Sequence, residues 1–238
     1  MNETLEVGGL TFEVRRSSRR KTLGLTVDRG GELVIHCPEL TGHDDLAKWT
    51  QGRLLWVHRK LALKEALLPR VREPEFVTGE SFRYLGRFFR LALVARQKEP
   101  LQFDGHRFCL RANARASATD HFHHWYIAAG EQWIAKRVAL LVRKGVDLPI
   151  RVEVRDLGFR WGSCGKGGIV FFNWKLMQLP VKLADYVLVH ELVHLRHPSH
   201  GPEFWQAVER CLPDWKQRQD TLRTKALEIY WCNSSMLK

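Results

Sequence analysis

The stretch from Tyr186 to Trp205, YVLVHELVHLRHPSHGPEFW, restricts the fold more than any other part of the chain. His190, Glu191 and His194 form an H-E-x-x-H, and Leu183, Tyr186, Val187 and Val193 recur around them at helical spacing. Positions i and i+4 of a helix lie one above the other, so both imidazoles can reach a single metal ion while Glu191 flanks it. The two histidines continue an apolar stripe, which has to face a core. The chain is therefore expected to be globular, with a site of zinc-hydrolase type set into its interior.

A catalytic zinc takes three protein ligands and keeps one position open, so the helix leaves one ligand to find. His200 is the best candidate. Pro198 cannot continue the helix and disfavours helical conformation at His197, which should turn the chain back toward the site. The same six-residue step separates the second and third histidines of the metzincin signature, but Met177 lies upstream and Met236 is nearly terminal, so no Met-turn can be placed. Pro202 then starts another helix, with Phe204, Trp205, Val208 and Leu212 as its buried face, placed to hold His200 over the metal. Glu191 is expected to take a proton from the attacking water and pass it to the leaving group. His197 is open to two roles, hydrogen bonding to substrate or simple exposure to solvent. The HFHHWY cluster (His121, His123, His124) has no carboxylate partner at useful spacing and reads as surface or packing.

Five scattered cysteines with no C-x-x-C argue against a disulfide framework or a cysteine-rich zinc finger. The opening MNETLEVGGL lacks the pattern of a signal peptide, and no run approaches the roughly 18 apolar residues of a membrane span. A soluble, cytoplasmic protein with no membrane partner is expected. A net charge of +12 favours anionic partners without choosing among them. The densest basic run is Arg15, Arg16, Arg19, Arg20 and Lys21, and a solvated surface is its simpler explanation.

TLEV and LTFEV around Gly8-Gly9 read as one hairpin, and LGLTV and ELVIH around Arg29-Gly30-Gly31 as a second, giving an antiparallel sheet. Thr41 opens a helix with capping-box spacing that runs to about Leu68 and stops at Pro69. Residues 76 to 110 return to short strands, and a helix follows from about Ala114 to Arg143 with Trp125, Ile127, Trp133, Ile134, Val138 and Leu141 as its apolar stripe. A β-rich N-terminal half with one helix (1–112) and a catalytic half (113–238) follow, or one continuous domain. IRVEV and IVFFN read as strands flanking the loop Arg160 to Gly165.

RWGSC (160–164), Phe172-Asn173-Trp174, DYVLVHELVHLRH from Asp185, HGPEFW from His200, VRRSSRRKTLGLTV and GESFRYLGRFFRLAL together resemble the YgjP-like metallopeptidase family, relatives of the SprT-like zincins. The resemblance covers nearly the whole chain. It implies an α+β fold with a zincin-like core, in which the active-site helix lies against a small antiparallel sheet whose edge strand, here 169–173, lines the cleft. It also implies Zn2+ held by His190, His194 and His200, with Glu191 as general base. Arg160 and Asn173 belong to its motifs and are expected to contact substrate or to support the ligands, although Arg160 could equally brace its loop. A peptide or protein substrate is expected. The alternatives are a nucleotide, with Arg160 and the basic surface clamping phosphates, and a nucleic-acid association that no reading module supports.

Overall fold

The computed structural model describes residues 3–27, 32–67, 74–158, 160–165, 167–225 and 229, with main chain only for 63–67. The expected turn at Arg29 to Gly31 and the helix stop at Pro69 lie outside these residues. The fold is α+β, and two compact units divide the chain, Met1–Arg70 and Val71–Lys238.

In the first unit, alternating exposed and buried residues make strands of β1 (Thr4–Val7) and β2 (Leu10–Ser17). Gly8 and Gly9, with φ of 60° and 75°, supply the left-handed conformations that a two-residue hairpin needs. Strands β3 (Gly24–Val27) and β4 (Leu33–Pro38) form the second hairpin, and β4 pairs with β2 in parallel. Phe12, Ile35, Leu46 and Val57 close a separate core under this sheet. The single helix expected from Thr41 is two, α1 (His43–Gln51) and α2 (Leu54–Leu67). Gly42 takes the N-cap position without a side-chain cap, so Thr41 does not cap. Gly52, a poor helix former, ends α1, and the Arg53 N–H falls back to Thr50 O at 2.8 Å.

The second unit repeats the pattern. Strands β5 (Ser81–Tyr84), β6 (Arg87–Val94), β7 (Leu101–Phe103) and β8 (Arg107–Arg111) lie in the order β5-β6-β8-β7, matching β1-β2-β4-β3 of the first sheet. Its first hairpin also turns in two residues, Leu85 and Gly86, both at positive φ. Each sheet carries one parallel pair, so the sheets are mixed where antiparallel ones were expected. The sheet packs on α3 (Ala118–Val142), with Phe82 and Phe108 stacked or tilted on Phe122 at 4.3 and 5.1 Å. Because these rings interlock, the core runs straight through residue 112, and the compact units part at 70 instead of at the expected 112.

The buried stripe of α3 is Ala118, Phe122, Tyr126, Gly130, Ile134, Val138 and Leu141, close to a strict i+4 series. Trp125, Ile127 and Trp133 lie at its margins. A β-carbon on Gly130 would sit 3.1 Å from Val154 and 3.4 Å from Met177, so glycine lets α3 approach the next layer closely. That layer is a three-stranded sheet of β9 (Arg151–Arg155), β10 (Gly162–Cys164) and β11 (Ile169–Asn173), in the order β10-β11-β9. A short 3-10 turn, Trp174–Gln178, leads into α4 (Val181–Val193). The tip of the β5–β6 hairpin props this connection: the Leu85 N–H donates to Met177 O at 2.7 Å, and Gly86 lies so close to Pro180 that a β-carbon would come within 2.6 Å of its Cα. Helices α5 (Pro202–Cys211) and α6 (Trp215–Lys225) complete the unit.

Helix α4 is buried along almost its whole length, and one ion pair ties it to α3. Arg137 donates Nε and Nη2 to the two carboxylate oxygens of Asp185 at 2.5 and 2.6 Å. Asp185 is buried, whereas the Arg137 side chain remains 30% exposed. Arg137→Met strands the carboxylate, and the expected loss of stability is about 2 kcal/mol, below the 3–5 kcal/mol of a fully buried pair because water reaches the arginine. Urea unfolding measures this, and a loss of less than a few tenths would show that the pair is dispensable.

Candidate metal centre and active-site cleft

The α4 helix ends at Val193 and His194 takes its C-cap position with helical angles (φ −62°, ψ −20°), so His190 and His194 keep the i, i+4 relation. The chain then turns through Leu195 to Ser199 and brings His200 back. His200 Nε2 lies 3.0 Å from His190 Nε2 and 3.1 Å from His194 Nε2. Among the described residues, these three form the one group of histidine, cysteine or carboxylate side chains whose ligand atoms converge, all within 4.8 Å of one another. The 121–124 cluster does not: His121 Nε2 meets Ser117 Oγ, His124 Nδ1 meets Asp120 O, and His123 packs edge-on against Trp174.

The three rings suit one ion. A single ion about 2.0–2.1 Å from each nitrogen can touch nitrogens this close together, and imidazole is a donor that zinc favours. Burial, then the neighbouring His194 and His200, push the His190 pKa down to about 4, so its ring stays neutral and keeps a lone pair. His194 Nδ1 lies 3.0 Å from His197 O, a partner that holds the proton on Nδ1 and turns the bare Nε2 toward the centre. His190 Nδ1 has no such partner among the described residues. Phe204 is fully buried and touches all three rings, with centroids 4.9 Å from His190, 4.5 Å from His194 and 4.7 Å from His200. Trp205 stacks on His200 and in turn on Trp215. The aromatic wall of α5 thus sets the tilt of the imidazoles.

Glu191 is buried beside them. Burial pushes its pKa up to about 7, while the Cys164 N–H that it accepts and the Arg160 charge pull it back down. Gly162 presses against it: a β-carbon there would lie 2.5 Å from Glu191 Cγ and 3.0 Å from Oε1. Sequence reasoning missed Gly162 and the Cys164 main chain. The signal was present in kind, since a glycine inside a strand pattern marks a bulge or a close approach.

The segment 160–165, expected as a loop, contains strand β10, and this strand is the sheet edge beside Glu191. The expected edge, 169–173, is β11, which is central between β10 and β9. Trp161 O accepts from Asn173 N and Gly165 N donates to Ile169 O, both at 2.8 Å, so the odd positions of β10 face β11. By the alternation of an antiparallel ladder, the main-chain groups of Gly162 and Cys164 face the other way, into the cleft. Glu191, which lies against Gly162, is on that side.

Two hollows meet at His190, Glu191 and Gly162. The wider, about 610 Å3, runs along Ser163, Cys164, Gly165, Gly167 and Gly168 and past Leu195 and Pro198. The narrower, about 280 Å3, runs along Arg160, Trp161, Tyr186, Val187 and Leu222. Arg160 is exposed and lines the cleft as a substrate contact would. Asn173 does not: it is 1% exposed, donates Nδ2 to Gly158 O and Arg160 O, and accepts from Lys175 N, so it braces the main chain at Gly158 and Arg160 from behind. His197 supplies its carbonyl to His194, but its ring lies 3.7 Å from Glu203 and lines a separate pocket with Lys144, Arg196 and Cys211. It does not border the cleft.

An α+β chain with three converging imidazoles, a buried glutamate and an open strand edge has the makings of a metallohydrolase. The chain belongs to the YgjP-like family, whose metallopeptidase domain matches residues 21–225. Among solved structures, the crystal structure of the metallopeptidase zymogen of Pyrococcus abyssi abylysin is 28% identical, covering 37% of this chain and 93% of that one, with a TM-score of 0.34. No curated protein matches. Membership in a metallopeptidase family places the chain among metal-dependent peptidases. No helix among the described residues is long and apolar enough to cross a membrane.

Proposed function

We propose that the protein is a zinc-dependent peptidase in which His190, His194 and His200 hold the ion and Glu191 is the general base. The observation that supports this most directly is the meeting of three Nε2 atoms, a buried carboxylate and the outward main chain of β10 in one cleft. When bound, zinc would polarise the scissile carbonyl and make water a stronger acid. The chain supplies the rest. An extended peptide adds to β10 through Gly162, which holds its carbonyl beside the imidazoles. Glu191 takes the proton from the attacking water and delivers it to the leaving nitrogen.

The nucleotide alternative rests on Arg160 and the basic surface. The nucleic-acid alternative loses its main support, because Arg15 pairs with Glu13 and Arg16 binds Glu3 at both oxygens as well as the carbonyls of Glu39 and Thr41. In the test, the protein is stripped with a chelator and zinc is added back, with casein, a peptide library and nucleoside triphosphates as substrates. Peptide cleavage is expected to vanish on stripping and return with zinc. The apo protein should also unfold more easily, by about 4 kcal/mol relative to protein in zinc at a thousandfold excess over Kd. Triphosphate hydrolysis with peptides left intact would overturn the reading.

A further inference from the structure

We propose that the solvent face of the β5-β6-β8-β7 sheet binds single-stranded nucleic acid, its arginines holding phosphates and Phe88 stacking on a base. None of these strands lines either hollow of the cleft, and the inference does not rest on the peptidase reading.

Alternation sorts the side chains of the sheet onto two faces. Phe82, Phe89, Leu91, Phe108 and Leu110 are buried in the core. The residues between them point the other way, and the ladder register groups them. Arg83 stands across from Phe88, Arg90 stands across from Arg107, and Arg111 lies two outward positions further along β8. Because β6 and β8 are the two middle strands, Phe88, Arg90, Arg107 and Arg111 occupy the centre of the face. Phe88 is 61% exposed. The outward strand positions include no carboxylate. Asp104, in the turn before β8, reaches Arg107 at 3.4 Å, while its other oxygen takes the His106 and Arg107 main-chain N–H groups at 2.8 Å. Among the described residues the Arg90 guanidinium makes no hydrogen bond or ion pair, and Arg111 Nε is shielded from solvent without an acceptor.

The first sheet shows that the fold does not require this. Its strand order is the same, and β2 takes the place of β6, with Val14 paired to Ile35 as Leu91 is to Phe108. One residue earlier, Glu13 stands where β6 has Arg90. Glu13 holds Arg15 at 2.8 Å, so charge is cancelled within that face. The second sheet sets Arg90 against Arg107, and like charges facing one another across a strand pair repel. A cost carried by one copy of the motif and absent from the other marks a surface shaped for a partner.

That partner has to bring anions and something flat. A guanidinium is planar and forks onto phosphate oxygens, and an aromatic ring on an open sheet accepts a base of any kind. The Arg83 guanidinium, 4.4 Å over the Phe88 ring, extends the stacking surface. A duplex keeps its bases inside and cannot use Phe88, and an acidic protein satisfies the charge but not the stack. The N-terminal basic run is no rival site, since Arg15 and Arg16 are taken by Glu13 and Glu3.

The test measures anisotropy of labelled oligo-U and oligo-dT, about 15 nucleotides long, with the full chain, and uses a duplex of equal length and polyglutamate as competitors. At least one single strand should bind about 10-fold tighter than the duplex, with a log–log salt slope of about −2 to −3 for three or four phosphates. The two strands distinguish RNA from DNA. Arg90→Gln combined with Arg107→Gln should weaken binding about 10-fold at low salt and flatten the slope by about 1.4. Phe88→Ala should weaken it about 5-fold to 100-fold with the slope unchanged. Arg15→Gln, the matched change in the first sheet, should alter neither. Peptide cleavage by the same variants should stay at the wild-type rate, and its absence from all of them would bear on the peptidase reading alone. The proposal is overturned by failure to bind at low salt, by second-sheet variants that bind like wild type, or by a duplex that binds as tightly as the strands. Displacement by polyglutamate at equal charge would also overturn it, in favour of an acidic protein.

Discussion

Glu191→Gln is expected to lower kcat roughly 10^2-fold to 10^4-fold, the range of a positioned general base, with zinc still bound at the wild-type ratio. The amide has nearly the shape of the carboxylate and can still accept the Cys164 N–H, so the cleft keeps its form. What it loses is the ability to take a proton. The ligands are untouched because His190, His194 and His200 meet one another and Phe204, not Glu191. Steady-state kinetics beside metal analysis by mass spectrometry separates the two effects. Turnover within threefold of wild type would remove Glu191 from the chemistry, and loss of zinc would make it a structural residue.

Gly162→Ala should be nearly as damaging for a different reason. The new methyl would fall 2.5 Å from Glu191 Cγ and 2.9 Å from Cδ, well inside contact distance. Glu191 is walled in, so either its carboxylate or strand β10 must move by about 1 Å, a misplacement that can cost about 10^2-fold in rate. Zinc content should remain, since the imidazoles come from α4 and the turn after it. A variant with wild-type kcat would show that β10 yields freely and does not position the base.

The parts of the site legible in the sequence were those set by local geometry. The i, i+4 histidines needed only a helix, and Pro198 made a turn before His200 all but unavoidable. Phe204 and Trp205 followed from the helical spacing after Pro202. The illegible parts depend on pairing between distant segments. Nothing local to IVFFN says whether it is an edge or a centre, because both β9 and β10 had to find it first. The roles of Asn173 and His197 were obscured in another way: Asn173 acts through hydrogen bonds to main chain thirteen and fifteen residues away, and His197 through a carbonyl that every residue type possesses. At the scale of the fold, the break at Gly52 is the local effect of a poor helix former. The interlocked rings of Phe82, Phe108 and Phe122 are a tertiary effect, which joins the sheet to the helix after it.

The contact between Gly162 and Glu191 also bears on inhibition and resistance. An inhibitor that exchanges both main-chain hydrogen bonds with Gly162 grips atoms that no side-chain change can remove. The usual escape, a bulkier residue at the contact, is closed, because even one methyl at this position strikes the carboxylate that hydrolysis is proposed to need. Resistance would have to arise along the narrower hollow, at the exposed Arg160, where a substitution does not strike Glu191 as a methyl on Gly162 would.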